Sequence, residues 1–236
     1  MIRLRQLCGG YRQHPAFGPI DLEIQTGGIV ALLGGNGSGK TTLIKTLLGL
    51  RAPLSGEVFW NDQPLERISL AERARLFAYV PQHRRVGFGL RVLDVVAMGG
   101  QAGIIRARSK IATERAWHAL EQLRQTHLAE KRITELSGGQ QQLILIARAL
   151  AQQAQTLVFD EPVNHLDWGH QQRLLELIAS LADDQRTIVF STHHPDHARQ
   201  VAQRCILLKE GQLFGDGLCQ QHLTTHCLHE LYQLDF

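Results

Sequence analysis

The segment GGNGSGKTT, Gly34 to Thr42, has the residue types and spacing of a loop that binds the phosphates of a nucleotide. It matches the pattern G-x-x-x-x-G-K-S/T, with the apolar run IVALL before it and the helical pattern TTLIKTLLGL after it. Glycines allow backbone N–H groups to approach phosphate oxygens. Lys40 would reach the β- and γ-phosphates, and Thr41 offers a hydroxyl to Mg²⁺. The predicted nucleotide-binding residues are Gly34, Gly35, Asn36, Gly37, Ser38, Gly39, Lys40, Thr41 and Thr42.

Two acidic residues follow a second apolar run, in TLVFDEP. Asp160 ends this run and can hold Mg²⁺, directly or through water. Glu161 comes next, where a water attacking the terminal phosphate would lie, and is the candidate general base. Acidic strand ends are common, so this assignment depends on the phosphate loop in the same chain.

A pair of histidines follows a third apolar run, in TIVFSTHHP. A histidine at the end of a buried strand can contact a γ-phosphate, although a lone histidine is more often structural. Spacing alone does not choose between His193 and His194.

The stretch LSGGQQQL, Leu136 to Leu143, resembles a second phosphate site that lacks a lysine. Ser137, Gly138 and Gly139 stand just before a helical pattern, and a helix N-terminus carries about half a positive charge. The stretch is therefore a predicted anion site, but its residues alone do not say whose phosphate it binds.

The alternation of apolar runs with helical patterns predicts an α/β fold that brings these loops to one edge of a mainly parallel sheet. Buried strands are predicted at Ile29 to Leu33, Thr156 to Phe159 and Thr187 to Phe190. IRLRQL, DLEI and EVFW indicate antiparallel strands, and CILLKEGQLFG indicates a hairpin that turns at Glu210-Gly211. Between Gln82 and Ala154 amphipathic patterns predict helices and no strand. We expect a nucleotide-binding core at 1–82 and 155–236 and a helical subdomain at 83–154.

Composition limits the class of protein. The 236 residues are 44% hydrophobic with a net charge of +3, too weak and too evenly spread to predict nucleic-acid binding. The basic cluster His83 to Arg85 is predicted to be a solvated loop. No apolar run reaches the length of a membrane span, and four cysteines without a C-x-x-C pair favour a reducing compartment.

The order and spacing of six motifs resemble those of ATP-binding cassette (ABC) ATPases over essentially the whole chain. GGNGSGKTT resembles the Walker A motif, TLVFDE the Walker B motif, LSGGQ the signature, YVPQ the Q-loop, NHLD the D-loop and STH the switch motif. The resemblance implies a P-loop NTPase core with a mainly parallel sheet, an antiparallel β subdomain and a helical insert that carries the signature. It also implies hydrolysis of ATP with Mg²⁺ as cofactor.

The resemblance also implies roles for single residues. His193, and not His194, is the switch histidine, Asp167 is the D-loop aspartate, and Tyr11 in GGYRQHPAF stacks on adenine. The alternative for Tyr11 is a buried residue at a strand end. The implied catalytic residues are Glu161, His193, Gln82 and Lys40, and the implied Mg²⁺ ligands are Thr41, Gln82 and Asp160.

Members of this family pair head to tail, which implies whose phosphate the signature binds. Ser137, Gly138, Gly139 and Gln140 of one chain cover the ATP on the phosphate loop of the other, whose own lysine already serves that ATP. Because the chain has one set of motifs, the resemblance implies a homodimer with two sites.

A finer resemblance, carried by ERARLFAYVPQ, RVLDVVAMGG, NHLDWGHQQRLLELI and STHHPDHA, is to importer ATPases for iron chelates, haem, cobalamin or molybdate. It implies an integral membrane permease dimer, indirect action with a periplasmic or extracellular substrate-binding protein, and no nucleic-acid partner. The expected location is the cytoplasmic side of the bacterial inner membrane. The sequence departs from the usual pattern at Arg91, Gly100, Gln141 and Val163, the first two near the groove expected to receive the permease. An exporter ATPase and a soluble non-transport ABC ATPase remain alternatives.

The C-terminal region contains residue types that bind soft metal ions. On one continuous helix four of them would share a face, but LTT, at 223–225, indicates a break with a threonine N-cap that would divide the set. We therefore expect an exposed polar tail, with a metal site as the alternative. The residues concerned are Cys219, His222, His226, Cys227 and His229.

Overall fold

In this computed structural model the residues described are 1–82, 89–101, 110–164, 166–182 and 185–233. The strands are β1 Ile2–Tyr11, β2 His14–Ile24, β3 Ile29–Leu33, β4 Ser55–Trp60, β5 Gln63–Pro64, β6 Phe77–Val80, β7 Thr156–Phe159, β8 Thr187–Thr192, β9 Arg204–Lys209 and β10 Gln212–Leu218. The helices are α1 Lys40–Leu47, α2 Leu70–Leu76, α3 Val92–Gly100, α4 Lys110–Gln122, α5 Gly138–Ala151, α6 Trp168–Leu181, α7 Pro195–Val201, α8 Cys219–His222 and α9 Thr225–Tyr232. The His83 to Arg85 cluster and His165 of the NHLD motif lie outside the described residues.

A six-stranded sheet in the order β10-β9-β3-β8-β7-β6 forms the centre of the molecule and is parallel except for β10. Strand β3 is buried on both faces, because Ala31 and Leu33 enter one hydrophobic cluster while Val30 and Leu32 enter the other. A strand covered on both sides reads as a continuous apolar run, which explains IVALL. The predicted mainly parallel sheet is confirmed.

A second, antiparallel sheet has the order β2-β1-β4-β5 and covers α1. The predicted hairpin of β9 and β10 is confirmed, since Glu210 and Gly211 both have positive φ, 49° and 77°, as a tight two-residue turn requires. A Cβ at Gly211 would lie 2.7 Å from the Ala16 carbonyl oxygen, so this turn packs directly on β2.

Helices α3, α4 and α5 pack together between β6 and β7 in the chain, and their apolar faces join the cluster under the main sheet. In the described part of this region the only β-structure is a bridge between Arg91 and Arg132, so the expectation of no strand is confirmed there. A Cβ at Gly100 would lie 2.9 Å from the Ala112 carbonyl oxygen, which gives this departure from the usual pattern a packing reason. Arg91 instead forms exposed ion pairs with Asp94 and Glu130, both at 3.0 Å.

The C-terminal region differs from the expected exposed tail. The predicted break is confirmed, because α8 and α9 are separate helices and Thr224 caps α9 by accepting a hydrogen bond from the Cys227 N–H. Cys219 and Leu231 are buried, so both helices pack on the core. No metal-binding group of His, Cys, Asp or Glu side chains is found among the described residues. Within the same ranges, every helix falls short of the length and apolarity needed to cross a bilayer.

Candidate functional site

The phosphate loop joins β3 to α1 and folds tightly around its lysine. Gly39 precedes the helix with φ 98°, a left-handed conformation that favours glycine. The buried Lys40 donates from Nζ to the carbonyl oxygens of Gly34 and Gly35, at 2.9 and 3.0 Å. A Cβ at Gly34 would lie 2.3 Å from the Leu208 carbonyl oxygen, so the loop can approach β9 only with glycine at this position.

A cleft of about 230 Å³ opens on this loop and has the properties of a phosphate site. Nothing lies within 4 Å of a Cβ built on Gly35 or Gly37, so the backbone is accessible from that side. The buried Ser38 hydroxyl finds no hydrogen-bond partner among the described residues. Phosphate oxygens would satisfy it, and the donors around the cleft therefore fit a nucleoside triphosphate. The cleft is lined by Ala16, Asn36, Gly37, Ser38, Gly39, Lys40, Thr41, Thr42, Gln82 and Glu161.

Asp160 follows β7, and its carboxylate accepts hydrogen bonds from three hydroxyl groups. Its Oδ1 accepts from Thr41 Oγ1 at 3.1 Å and from Ser191 Oγ at 2.7 Å, and its Oδ2 accepts from Tyr79 OH at 3.2 Å. Burial, and then the charge of Asp160, raise the pKa of Tyr79 well above its usual value, so this hydroxyl remains a donor. A carboxylate beside the Thr41 hydroxyl is the hard oxygen set that Mg²⁺ prefers.

Glu161 lies at the centre of the predicted catalytic residues, and its φ of 45° is uncommon for a residue with a side chain. Its N–H donates to Ser191 Oγ at 2.9 Å, which fixes the turn after β7. Its buried carboxylate accepts from Gln82 Nε2 at 3.2 Å and from Asn164 Nδ2. Lys40 Nζ lies 3.4 Å from Oε1.

The two histidines after β8 are placed differently. His193 Nδ1 lies 3.4 Å from Glu161 Oε2, whereas the His194 ring stacks between His193 and His197, with ring centroids 4.1 and 4.8 Å apart. Burial lowers the pKa of His194, with a further contribution from His193, which favours its neutral form. The geometry therefore favours His193 as the histidine that approaches Glu161, and its catalytic role remains a prediction.

Tyr11, at the end of β1, is 48% exposed, so the alternative of a buried strand-end residue is wrong. The Arg51 guanidinium lies over one face of its ring, 3.7 Å from the centroid, and donates to the Gly10 carbonyl oxygen at 3.1 Å. Arginine stacked on a ring restricts its motion and supplies a cation–π attraction. Stacking of Tyr11 on a base remains a prediction.

The signature stretch forms the exposed N-terminus of α5. Ser137 is the N-cap, and its Oγ accepts from Gln140 N at 3.3 Å while its N–H donates to Gln140 Oε1 at 3.0 Å. In this reciprocal pair the side-chain amide oxygen of Gln140 accepts from the Ser137 N–H, as in a capping box. Gln141, a departure from the usual pattern, donates to the carbonyl oxygens of Ile133 and Leu136 and so fixes the loop before the helix.

The signature does not line the phosphate cleft of its own chain. Ser137, Gly139 and Gln140 instead line a separate cleft of about 360 Å³, together with His170 and Arg173 of α6. The structure thus brings Lys40, Gln82, Asp160, Glu161 and His193 together and leaves the signature apart from them.

Asp167 caps α6 beside the signature. It accepts from the His170 N–H at 3.0 Å and lies 2.6 Å from His170 Nδ1. The first of these contacts, followed by the second, lowers the pKa of Asp167. The adjacent Trp168 is 76% exposed, which is unusual for so large an apolar ring.

Sequence reasoning missed three residues of this site: Tyr79, Asn164 and Ser191. Each is a partner of Asp160 or Glu161, and each lies in or beside a recognised motif, in YVPQ, NHLD and STH respectively. Their position in these motifs was the available signal. Val163, another departure, is buried in the apolar cluster.

Known proteins resemble this chain over most of its length. The family profile described as ABC transporter matches residues 17–164. The molybdate import ATP-binding protein MolC of Haemophilus influenzae is 37% identical over 221 residues, which cover 92% of this chain and 82% of that protein.

Solved structures agree with the sequence relatives. A transporter assigned to the metal-chelate ABC type, in an inward-facing conformation, matches with a TM-score of 0.85 and 34% identity and covers 99% of this chain and 88% of that chain. A dimeric ATP-binding cassette in a post-hydrolysis state, bound to ADP and phosphate, matches with a TM-score of 0.83 and 27% identity and covers 93% of this chain and 99% of that chain.

Proposed function

Since this chain belongs to the ABC transporter family and is an ATPase, we propose that two copies of it drive a bacterial importer. The substrate class proposed is a metal chelate, haem, cobalamin or a molybdate-type oxyanion. Molybdate import by a relative and the metal-chelate type of a structural neighbour support this class. The chain would act at the cytoplasmic side of the inner membrane, on a separate permease dimer served by a substrate-binding protein.

One observation carries the head-to-tail arrangement of the two copies. The signature helix presents its N-terminus on the surface and outside the phosphate cleft of its own chain. A helix N-terminus attracts anions, and the phosphate of a second copy would satisfy it. A twofold dimer completes both sites at once, and the dimeric cassette among the structural neighbours supports this arrangement.

The cleft residues divide the work of hydrolysis. Backbone N–H groups of the phosphate loop and Lys40 hold the β- and γ-phosphates, while Thr41 and Asp160, with Gln82, would hold Mg²⁺. When bound, Mg²⁺ neutralises charge on the phosphate oxygens. Tyr11 would stack on adenine, which selects only weakly among purines.

Glu161 is placed to act as the base. Water attacks the γ-phosphorus, the bond to the β,γ-bridging oxygen breaks, and the water proton passes to the Glu161 carboxylate. Gln82 and Asn164 hold that carboxylate by hydrogen bonds, and His193 stands 3.4 Å from it, where it can contact the γ-phosphate.

In addition to the groove expected near Arg91 and Gly100, we propose a surface for the permease on the α2 side of the core. A groove of about 290 Å³ there includes Leu50 and Leu70, which are 63% and 80% exposed, together with Phe77 and Gln152. Exposed leucines beside a groove favour an apolar protein segment. Gln82 follows β6, which lines this groove, so a motion of residues 83–154 as one helical subdomain would connect nucleotide and permease.

The importer proposal is tested by reconstituting the chain in proteoliposomes with a polytopic permease of the metal-chelate importer type. Wild type should hydrolyse ATP and transport substrate only with Mg²⁺. Gln82→Ala should bind ATP normally but lose transport more than hydrolysis, because the amide that would link the nucleotide cleft to the helical subdomain is missing. Gln200→Ala, which removes an exposed amide bonded only to Gln172 among the contacts described, is the control. Equal loss of transport and hydrolysis in Gln82→Ala would refute its coupling role, and export of substrate would refute import.

A further inference from the structure

The C-terminal helix α9 reaches the hydrolytic site. Tyr232, its last residue, donates from its hydroxyl to the carbonyl oxygen of His193 at 2.8 Å. The two residues are 39 positions apart in the chain. A backbone carbonyl held by a distant side chain fixes the position of a turn that local sequence does not determine.

His193 lies in the short connection between β8 and α7, where its conformation is set from several sides. Thr192 Oγ1 accepts from the His194 N–H at 3.1 Å, which shapes the connection locally. The imidazole of His193 contacts the His194 ring on one side and approaches Glu161 on another. The hydrogen bond from Tyr232 differs from these contacts, because it reaches the connection from α9, an element that is distant in the chain.

Helix α9 is held in position by contacts at both of its ends. Leu231 is buried, and the N-cap contact of Thr224 stabilises the start of the helix. Just after the helix, Gln233 Nε2 donates to Glu210 Oε1 at 2.5 Å, which joins it to the β9–β10 turn. A cleft of about 280 Å³ separates this end of α9 from the outer side of the phosphate loop, at 35–38.

The Tyr232 hydroxyl remains a donor at any physiological pH. Burial, and then the charge of Glu161, raise the pKa of Tyr232 to about 12.

We propose that Tyr232 is a positioning residue for ATP hydrolysis, whose hydroxyl holds the His193 carbonyl and thereby keeps the imidazole directed at the reacting phosphate. This inference rests on the proposed role of His193. Without the hydroxyl the connection after β8 gains freedom, and small displacements of a catalytic group reduce the rate more than they reduce substrate binding.

The test compares Tyr232→Phe with Thr224→Ala in steady-state hydrolysis of MgATP by the full chain. Tyr232→Phe keeps the ring and removes only the donor, while Thr224→Ala weakens the same helix at its other end and leaves the donor intact. We expect kcat to fall about three- to tenfold in Tyr232→Phe, the range of one lost hydrogen bond, with KM for ATP unchanged. Thr224→Ala should keep the native kcat at a temperature well below its unfolding transition.

Two results would overturn the inference while the role of His193 stands. The first is a native kcat in Tyr232→Phe. The second is an equal fall in kcat in Thr224→Ala, which would show that α9 supports hydrolysis only by its general stability. His193→Ala is measured alongside them. If His193→Ala itself hydrolyses ATP at the native rate, the proposed role of His193 is wrong, and the inference about Tyr232 falls with it.

Discussion

Glu161→Gln is expected to keep ATP binding and to slow hydrolysis about 10²–10⁴-fold, the usual contribution of a general base. The amide has the shape of the carboxylate but cannot accept the proton of the attacking water. It also removes the negative charge 3.4 Å from Lys40 Nζ, so the affinity for a triphosphate should hold or rise.

The measurements are phosphate release at saturating MgATP and the equilibrium Kd for ATP. Glu176→Gln, which neutralises an exposed carboxylate on α6, is the matched control and should behave like wild type. Hydrolysis by Glu161→Gln at close to the native rate would show that another group is the base.

Lys40→Ala is expected to weaken ATP binding itself, by about 10–100-fold for the loss of one charge-assisted contact. Lys40 is buried, and two carbonyl oxygens of the loop and Glu161 hold its Nζ in place. Without this cation, Glu161 repels the incoming phosphates. Lys45→Ala, on the last turn of the same helix, controls for the loss of a positive charge.

Isothermal titration with ATP measures this effect, and the loss should also appear with ADP, because the lysine is expected to reach the β-phosphate. An unchanged Kd for ATP in Lys40→Ala would show that the lysine of the phosphate loop does not contribute to nucleotide binding.

The parts of the fold that the sequence predicted are those encoded by local patterns. IVALL, TLVF and TIVF are short apolar runs because β3, β7 and β8 are central, parallel and covered on both faces. The turn at Glu210-Gly211 was equally local, since two residues must adopt positive φ there. The phosphate loop was predictable because its glycines are required by close backbone approaches, such as that of Gly34 to β9.

The parts that escaped prediction depend on contacts between distant segments. Tyr79 and Ser191 meet at Asp160 from positions 81 and 31 residues away, and no spacing rule records such a meeting. The prediction of an exposed C-terminal tail was wrong for the same reason. Its polar composition suggested exposure, but Cys219 and Leu231 find apolar partners in the core that lie far away in sequence.

The completion of each ATP site by the signature of a second copy is the central claim, and a mixed dimer tests it most directly. Lys40→Ala and Ser137→Arg chains, each also carrying Glu161→Gln to prevent hydrolysis, are tagged differently, mixed and purified as the mixed dimer. The first chain lacks a working phosphate loop. The Ser137→Arg chain carries a bulky side chain in its signature and loses the N-cap hydrogen bond of α5, but its own phosphate loop is intact.

The measurement is radiolabelled ATP retained per dimer after gel filtration. Neither parent homodimer should retain nucleotide, since one lacks loops and the other lacks usable signatures. The mixed dimer pairs an intact loop with an intact signature, and we predict that it retains about one ATP. A mixed dimer verified by both tags that retains no ATP would contradict the account, because the signature would then serve only the phosphate loop of its own chain.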